Sequence, residues 1–245
     1  MNVAGKIVFL WDDPDGVAAA IAGALNPNPN SSLRKLEVPF ELPLDKYGIE
    51  GVRASGKIIH FVDGNGVFQV PAWLLQSREA PTIVCAMNEL LDQITGGVST
   101  ASSNGGATFL VAASKLKFQI ESLASSNKHS GLYHVQIGPK TGASVLYAAR
   151  IPRKPPPLLQ IHYGPLSCFL QLTNALGLPT SVLIGQRSIG ISSKALEEEL
   201  QVLHETGDAV ASSTVQGCVS LRNEIKWNTS KTWKEEEKPW RALYG

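Results

Sequence analysis

What most constrains this chain is an alternation: short apolar runs of strand length take turns with stretches of helical spacing along most of its length. Ile7-Val8-Phe9-Leu10-Trp11 has the character of a buried strand, and Asp12-Asp13-Pro14 after it predicts a capped helix over 15–25 with a proline in its first turn. Residues 26–32, Asn-Pro-Asn-Pro-Asn-Ser-Ser, predict an exposed connection. Two apolar runs, 58–62 and 67–70, flank Asp63-Gly64-Asn65-Gly66 and predict a hairpin. Residues 82–87 have a strand-like start around Cys85 and run into the helix-like 88–94. A loop of Gly, Ser, Thr and Asn follows, flexible by composition, to Gly106. Further strands are expected at 108–113 and 132–137, with Pro155-Pro156-Pro157 stiffening the next connection.

The clearest local unit lies further on. Leu166, Phe169, Leu170 and Thr173 repeat at helical spacing, Gly177 is placed to cap that helix, and 180–184 reads as a strand. Ser192 and Ser193 are expected to cap a second helix with Leu196, Leu200 and Leu203 on one face, its Glu197, Glu198 and Glu199 favoured by the positive end of the helix dipole. Alternation without an internal repeat predicts a single three-layer α/β domain over 1–222, a central sheet flanked by helices. With 43% hydrophobic residues in 245, the chain can bury such a core. From residue 223 the sustained apolar period stops; three tryptophans and Lys234-Glu235-Glu236-Glu237-Lys238 precede the end, so 223–245 reads as a flexible tail.

Charge and cysteine content narrow the function. The 22 Lys and Arg against 21 Asp and Glu leave a net charge of +1, so neither nucleic acid nor an anionic membrane is an expected partner. Cys85, Cys168 and Cys218 are too few and scattered for a disulfide framework, and no leader or membrane-length apolar run is evident. A reducing compartment, cytoplasmic or nuclear, is the expectation.

Asp13-Pro14-Asp15-Gly16-Val17, placed after a strand, resembles the first motif of haloacid-dehalogenase-type phosphatases, in which the first aspartate is the nucleophile and the second the general acid. That chemistry also needs carboxylates for magnesium, and Gly207-Asp208 supplies only one of the two. Helix capping is the simpler role for these acids, and the phosphatase stands as the competing reading. Gly138-Pro139-Lys140-Thr141-Gly142 reads as a turn, and the motifs of nucleotide cradles, serine hydrolases and zinc proteases do not occur. Among the histidines only His129 and His134 are close enough to share a metal, His204 is expected at a helix end, and Cys85 and Cys168 suit a core. No metal, no cofactor and no catalytic residue are expected.

The chain ends Leu243-Tyr244-Gly245, a hydrophobic residue, tyrosine and a free carboxyl end. The carboxylate would seek a lysine, the tyrosine a slot with a partner for its hydroxyl, and the leucine an apolar wall. This ending, together with the segment 165–184, resembles the proteasome assembly chaperone 1 family. The resemblance implies a non-catalytic α/β chaperone that pairs with a proteasome assembly chaperone 2-like protein and supports assembly of the 20S core particle. It also implies that Leu243, Tyr244 and Gly245 enter pockets between α-subunits of the ring.

Overall fold

The computed structural model of the chain describes residues 6–12, 16–76, 81–95, 109–116, 131–140, 154–155, 164–186, 193–214 and 218–220. At its centre is β1 (Lys6–Asp12), paired in parallel with β5 (Phe68–Gln76) on one side and with β6 (Phe109–Leu116) on the other. Because side chains alternate along a strand, Val8 and Leu10 face one side while Ile7, Phe9 and Trp11 face the other, and all five are buried. A strand apolar on both faces has to be covered on both.

The helices supply the cover. On the Val8 and Leu10 side lie α1 (Val17–Ala24) and α4 (Ser193–Thr214); on the Ile7, Phe9 and Trp11 side lie α2 (Thr82–Thr95) and α3 (Gly164–Ala175). The protein is thus an α/β domain with a mixed sheet between helices, as the alternation predicts. With β3 (Arg34–Pro43), β4 (Arg53–Val62), β7 (Leu132–Ile137) and β8 (Thr180–Gln186), the seven-stranded sheet runs β3-β4-β5-β1-β6-β8-β7. Its middle is parallel, β3-β4-β5 form an antiparallel meander, and β7 closes the far edge antiparallel to β8. A separate two-stranded ladder joins β2 (Leu25–Pro27) to β9 (Cys218–Ser220).

The hairpin at Asp63-Gly64-Asn65-Gly66 forms as expected, with Asp63 Oδ1 accepting the amides of Asn65 and Val67 at 2.9 and 3.0 Å. So does the unit over 164–186, where Gly177 ends α3 with φ of 64°, a left-handed conformation that costs a residue without Cβ little. Elsewhere the structure corrects the expectation. Residues 82–95 are one helix, so Cys85 is helical: Ile83, Ala86, Met87, Leu90, Leu91 and Ile94 recur every three or four positions and bury one stripe. Residue 16, not an aspartate, caps α1, with no side-chain bond to its amides and no acid in its first turn. The proposed exposed connection begins with a strand, since Asn26 and Pro27 belong to β2.

In α4 the buried stripe is Ala195, Val202, Leu203, Thr206, Val210 and Ala211, and Leu196 points outward at 42% exposure. Leu203 is buried and Leu200 packs against the core as expected, so of the three leucines Leu196 alone departs, and small residues let the helix lie close to α1 and the sheet. Ser193 is the first residue of α4 and its three glutamates follow the first turn, so they are not caps of its amides. His204 and Asp208 lie inside the helix, not at or beyond its end.

Phe169 of α3 fixes the second layer to the sheet. Its ring centroid lies 4.8 Å from Phe9 and 5.0 Å from Trp11, the latter edge-on, an arrangement that suits the quadrupoles of the rings. Phe169→Ala should therefore lower stability by about 3–5 kcal/mol, the range for deleting a fully buried aromatic ring, read from the midpoint of urea unfolding.

Candidate functional site

Leu243, Tyr244 and Gly245 lie outside the described residues, as do Asp13 and Asp15. His129, His162 and the 223–245 boundary share that position. Gly207 and Asp208 lie on adjoining positions inside α4. Among the described residues no group of three metal-ligating side chains converges. None of the described helices is long and apolar enough to cross a membrane.

One serine and histidine do meet. His134 Nε2 on β7 is 3.0 Å from Ser181 Oγ on β8. The Ser181 hydroxyl donates to Gln136 Oε1 at 2.9 Å, and Gln136 Nε2 donates to the Ile137 carbonyl at 3.0 Å. With that hydroxyl proton committed, Ser181 Oγ accepts from His134, so Nε2 carries a proton. Ser181 is fully buried, so no substrate reaches it. The group is a polar tie between β7 and β8, and burial holds the His134 pKa below its ordinary value.

Cys85 on α2 and Cys168 on α3 are both half-buried, in keeping with a packing role. Burial, with a smaller contribution from Cys85, pushes the Cys168 thiol up, the reverse of what a nucleophilic thiolate needs.

The outer end of the sheet offers a different kind of site. β3 is strictly two-faced. On one face Lys35 and Lys57 bridge to Glu37 at 3.3 and 2.7 Å, and Arg53 bridges to Glu41 at 3.0 Å. Hydrogen bonding from Lys57 chiefly lowers the Glu37 pKa. Such paired charges suit a solvated surface. The other face carries Leu36, Val38, Phe40 and Leu42, opposite His60, Ile58, Gly56 and Ala54 of β4, and no ionised group among them.

Helix α2 covers only one end of that face. After β3 the chain makes a short turn, Asp45–Tyr47, that is tied to the helix: Lys46 pairs with Glu89 and lies 3.4 Å from Asp92, and Asn88 Nδ2 donates to the Tyr47 hydroxyl at 2.9 Å. Burial of Glu89 opposes ionisation, but the bonds from Lys46 and Gln93 outweigh it and hold its pKa low. Away from this clamp the cover thins: Leu42 is 4% exposed, Val38 38% and Leu36 46%. Phe68 joins the open end at 42% exposure, its ring edge-on to His60 at 4.8 Å.

Two buried polar atoms of this region have no partner among the described residues, the Trp73 indole Nε1 and His60 Nδ1. Trp73 is only 3% exposed and touches Phe40 at 5.1 Å. Gly56 makes this packing possible, because a Cβ there would meet the Leu74 carbonyl at 2.4 Å and the Phe40 ring at 2.6 Å. The signal for this face was present in the sequence, in the alternation of Leu36, Val38, Phe40 and Leu42 with charged residues. Pro39 and Pro43 weaken it, since proline is confined to edge strands, which is where β3 lies.

The fold and this surface define a three-layer α/β protein with a partly uncovered apolar sheet face. The chain belongs to the family described as "Domain of unknown function (DUF7894)", which matches residues 1–245. No curated protein matches it in sequence. Among solved structures it is similar to a protein of unknown function from Thermoplasma acidophilum, at 12% identity and a TM-score of 0.50, with 91% of this chain and 83% of that one covered. It is also similar to PbaB of Pyrococcus furiosus, described as an archaeal proteasome activator, at 9% identity and a TM-score of 0.52, with 87% of this chain and 85% of PbaB covered. At these identities the likeness is one of fold.

The polar tie of β7 and β8 makes a pH dependence. Burial lowers the pKa values of both His134 and His60, so below the ordinary value of 6.5 the unfolded chain takes up protons that the folded one resists. Stability is therefore greatest above the ordinary histidine value of about 6.5 and falls as the pH drops below it. The urea midpoint should decline as the pH is lowered below about 6.5, and decline less in His134→Gln.

Proposed function

We propose that this protein is a non-catalytic chaperone of 20S proteasome assembly. It acts as a heterodimer with a second, proteasome assembly chaperone 2-like protein, in the cytoplasm or nucleus. Its 223–245 tail carries Leu243, Tyr244 and the Gly245 carboxylate into a pocket of the α-subunit ring. The observation that carries this reading is the shared fold, over 87% of the chain, with an archaeal protein described as a proteasome activator. It is supported by a terminal Leu-Tyr-Gly that offers three chemically distinct anchors within one short stretch.

Each anchor has a physical role. A terminal carboxylate pairs with a lysine, a tyrosine ring fills a slot with large contact area and few rotatable bonds, and its hydroxyl takes a hydrogen bond at the bottom. Leu243 needs only an apolar wall, so another aliphatic residue would serve there. Binding has to overcome the ordering entropy of the tail, so the reading requires a preformed pocket on the partner.

Removing residues 243–245 should abolish most copurification with 20S α-subunits while thermal unfolding of the domain is unchanged. Tyr244→Ala should weaken binding roughly tenfold or more, as expected for an aromatic anchor. Unchanged binding in both variants would sink the reading.

A further inference from the structure

The two helices on the Ile7, Phe9 and Trp11 side of the sheet carry two of the three cysteines of the chain, and the topology brings those two together. β5 runs parallel to β1, so α2, which follows β5, starts at the carboxyl end of the parallel strands. β8 continues the same parallel set through β6, and α3 leads into it through the Gly177 turn, so α3 starts at that same end. The two helices therefore run in the same direction over one face, and they are in contact. Cys85 is the fourth residue of α2 and Cys168 the fifth of α3, which at about 1.5 Å per residue sets them at similar depths along their helices.

Packed helices keep their axes roughly 8–10 Å apart and each Cα lies about 2.3 Å from its axis, so Cα atoms on facing flanks come within roughly 4–6 Å of one another. A disulfide needs Cα atoms about 4.4–6.8 Å apart. Both cysteine side chains are half-buried and pack against one apolar cluster, to which Ala86, Met87, Leu166 and Phe169 belong. Burial chiefly, and then the charge of Cys85, raise the Cys168 pKa; the second contribution falls away with distance and marks the two thiols as neighbours. The third cysteine, Cys218, belongs to β9, which packs with α4 on the other side of the sheet.

We propose that Cys85 and Cys168 form a modification site, at which an oxidant of the low-molecular-weight disulfide class closes a reversible disulfide between α2 and α3. One thiolate of the pair attacks the small disulfide, which leaves a mixed disulfide on the protein and releases one small thiol. The second thiol gives up its proton and attacks the protein sulfur of that mixed disulfide, closing the bond and expelling the second small thiol. The protein thereby loses two hydrogens with their electrons, and the small disulfide gains them. Cys168 is suited to the second step, in which proximity makes up for a low thiolate fraction. The bond ties α2, held to the end of β3 by Lys46 and Glu89, to α3, whose Phe169 contacts Phe9 and Trp11. It joins the two helices over that face into one unit, whatever the chain assembles with.

The test equilibrates the full chain with mixtures of reduced and oxidised glutathione, quenches in acid, alkylates the remaining thiols and maps the peptides by mass spectrometry. A peptide pair joined through Cys85 and Cys168 within one chain, lighter by two hydrogens, should appear with Cys218 outside it, and dithiothreitol should return both thiols to the alkylated form. The same equilibrium in concentrated urea separates the folded geometry from the chemistry of the chain. The effective concentration of one thiol at the other should be roughly tenfold or more higher in the folded protein, because unfolding places the two at the ends of a long loop. Free Cys85 and Cys168 at the most oxidising ratio would overturn the proposal, as would stable glutathione adducts in place of the bridge. Bridges to Cys218 or between two chains would reject it too, and so would equal effective concentrations with and without urea.

Discussion

The structure depends on the double burial of β1. Its backbone is committed to parallel partners on both sides, so neither edge is free, and its five inner side chains leave no face that water could wet. Each face therefore has to carry its own helical layer, and among the described residues two helices pack on each. The aromatic contact of Phe169 with Phe9 and Trp11 on one side and the close packing of small α1 residues on the other are two solutions to the same constraint. One fills space with rings, and the other removes space with alanines.

Towards the β3 edge the constraint relaxes, and the chemistry of the sheet changes with it. Helix α2, held by the Lys46 and Glu89 pair, protects Leu42 and Ile58 but not Leu36. The result is a strand that is charged and ion-paired on one face and apolar and partly open on the other. The His134 and Ser181 contact shows the contrast. It has the components of a catalytic pair, yet its hydroxyl is committed to Gln136 and closed to solvent, so it serves cohesion of β7 and β8.

Much of the architecture is legible because it is local. The 63–66 turn carries the Asp and Gly that a tight hairpin needs, and Leu166, Phe169 and Thr173 announce the helix before Gly177 and the strand after it. What is less legible is anything settled by neighbours. The 82–87 run has strand-like residues at its start but becomes helix because Ile83, Ala86 and Met87 continue the stripe of Leu90 and Ile94 onto the sheet. The phase of α4 is set by how closely it approaches α1, which favours Ala195, Val210 and Ala211 over Leu196. The β3 face is a property of which residues lie opposite which.

By itself the sequence determined the class of fold, because alternating strand-length and helix-period apolar runs have few ways to bury themselves other than as a sheet between helical layers. It also determined the near-neutral charge. Only the tertiary structure decided the strand order, with β1 central and β3 at an edge, and the short ladder that brings β2 to β9 from opposite ends of the chain. Strand order is fixed by long-range pairing and by competition among helices for the two faces, and neither leaves a mark in any short window of residues. The uncovered end of the β3–β5 face follows from that order, since a helix of limited length, anchored at Lys46, cannot reach across the whole of the meander.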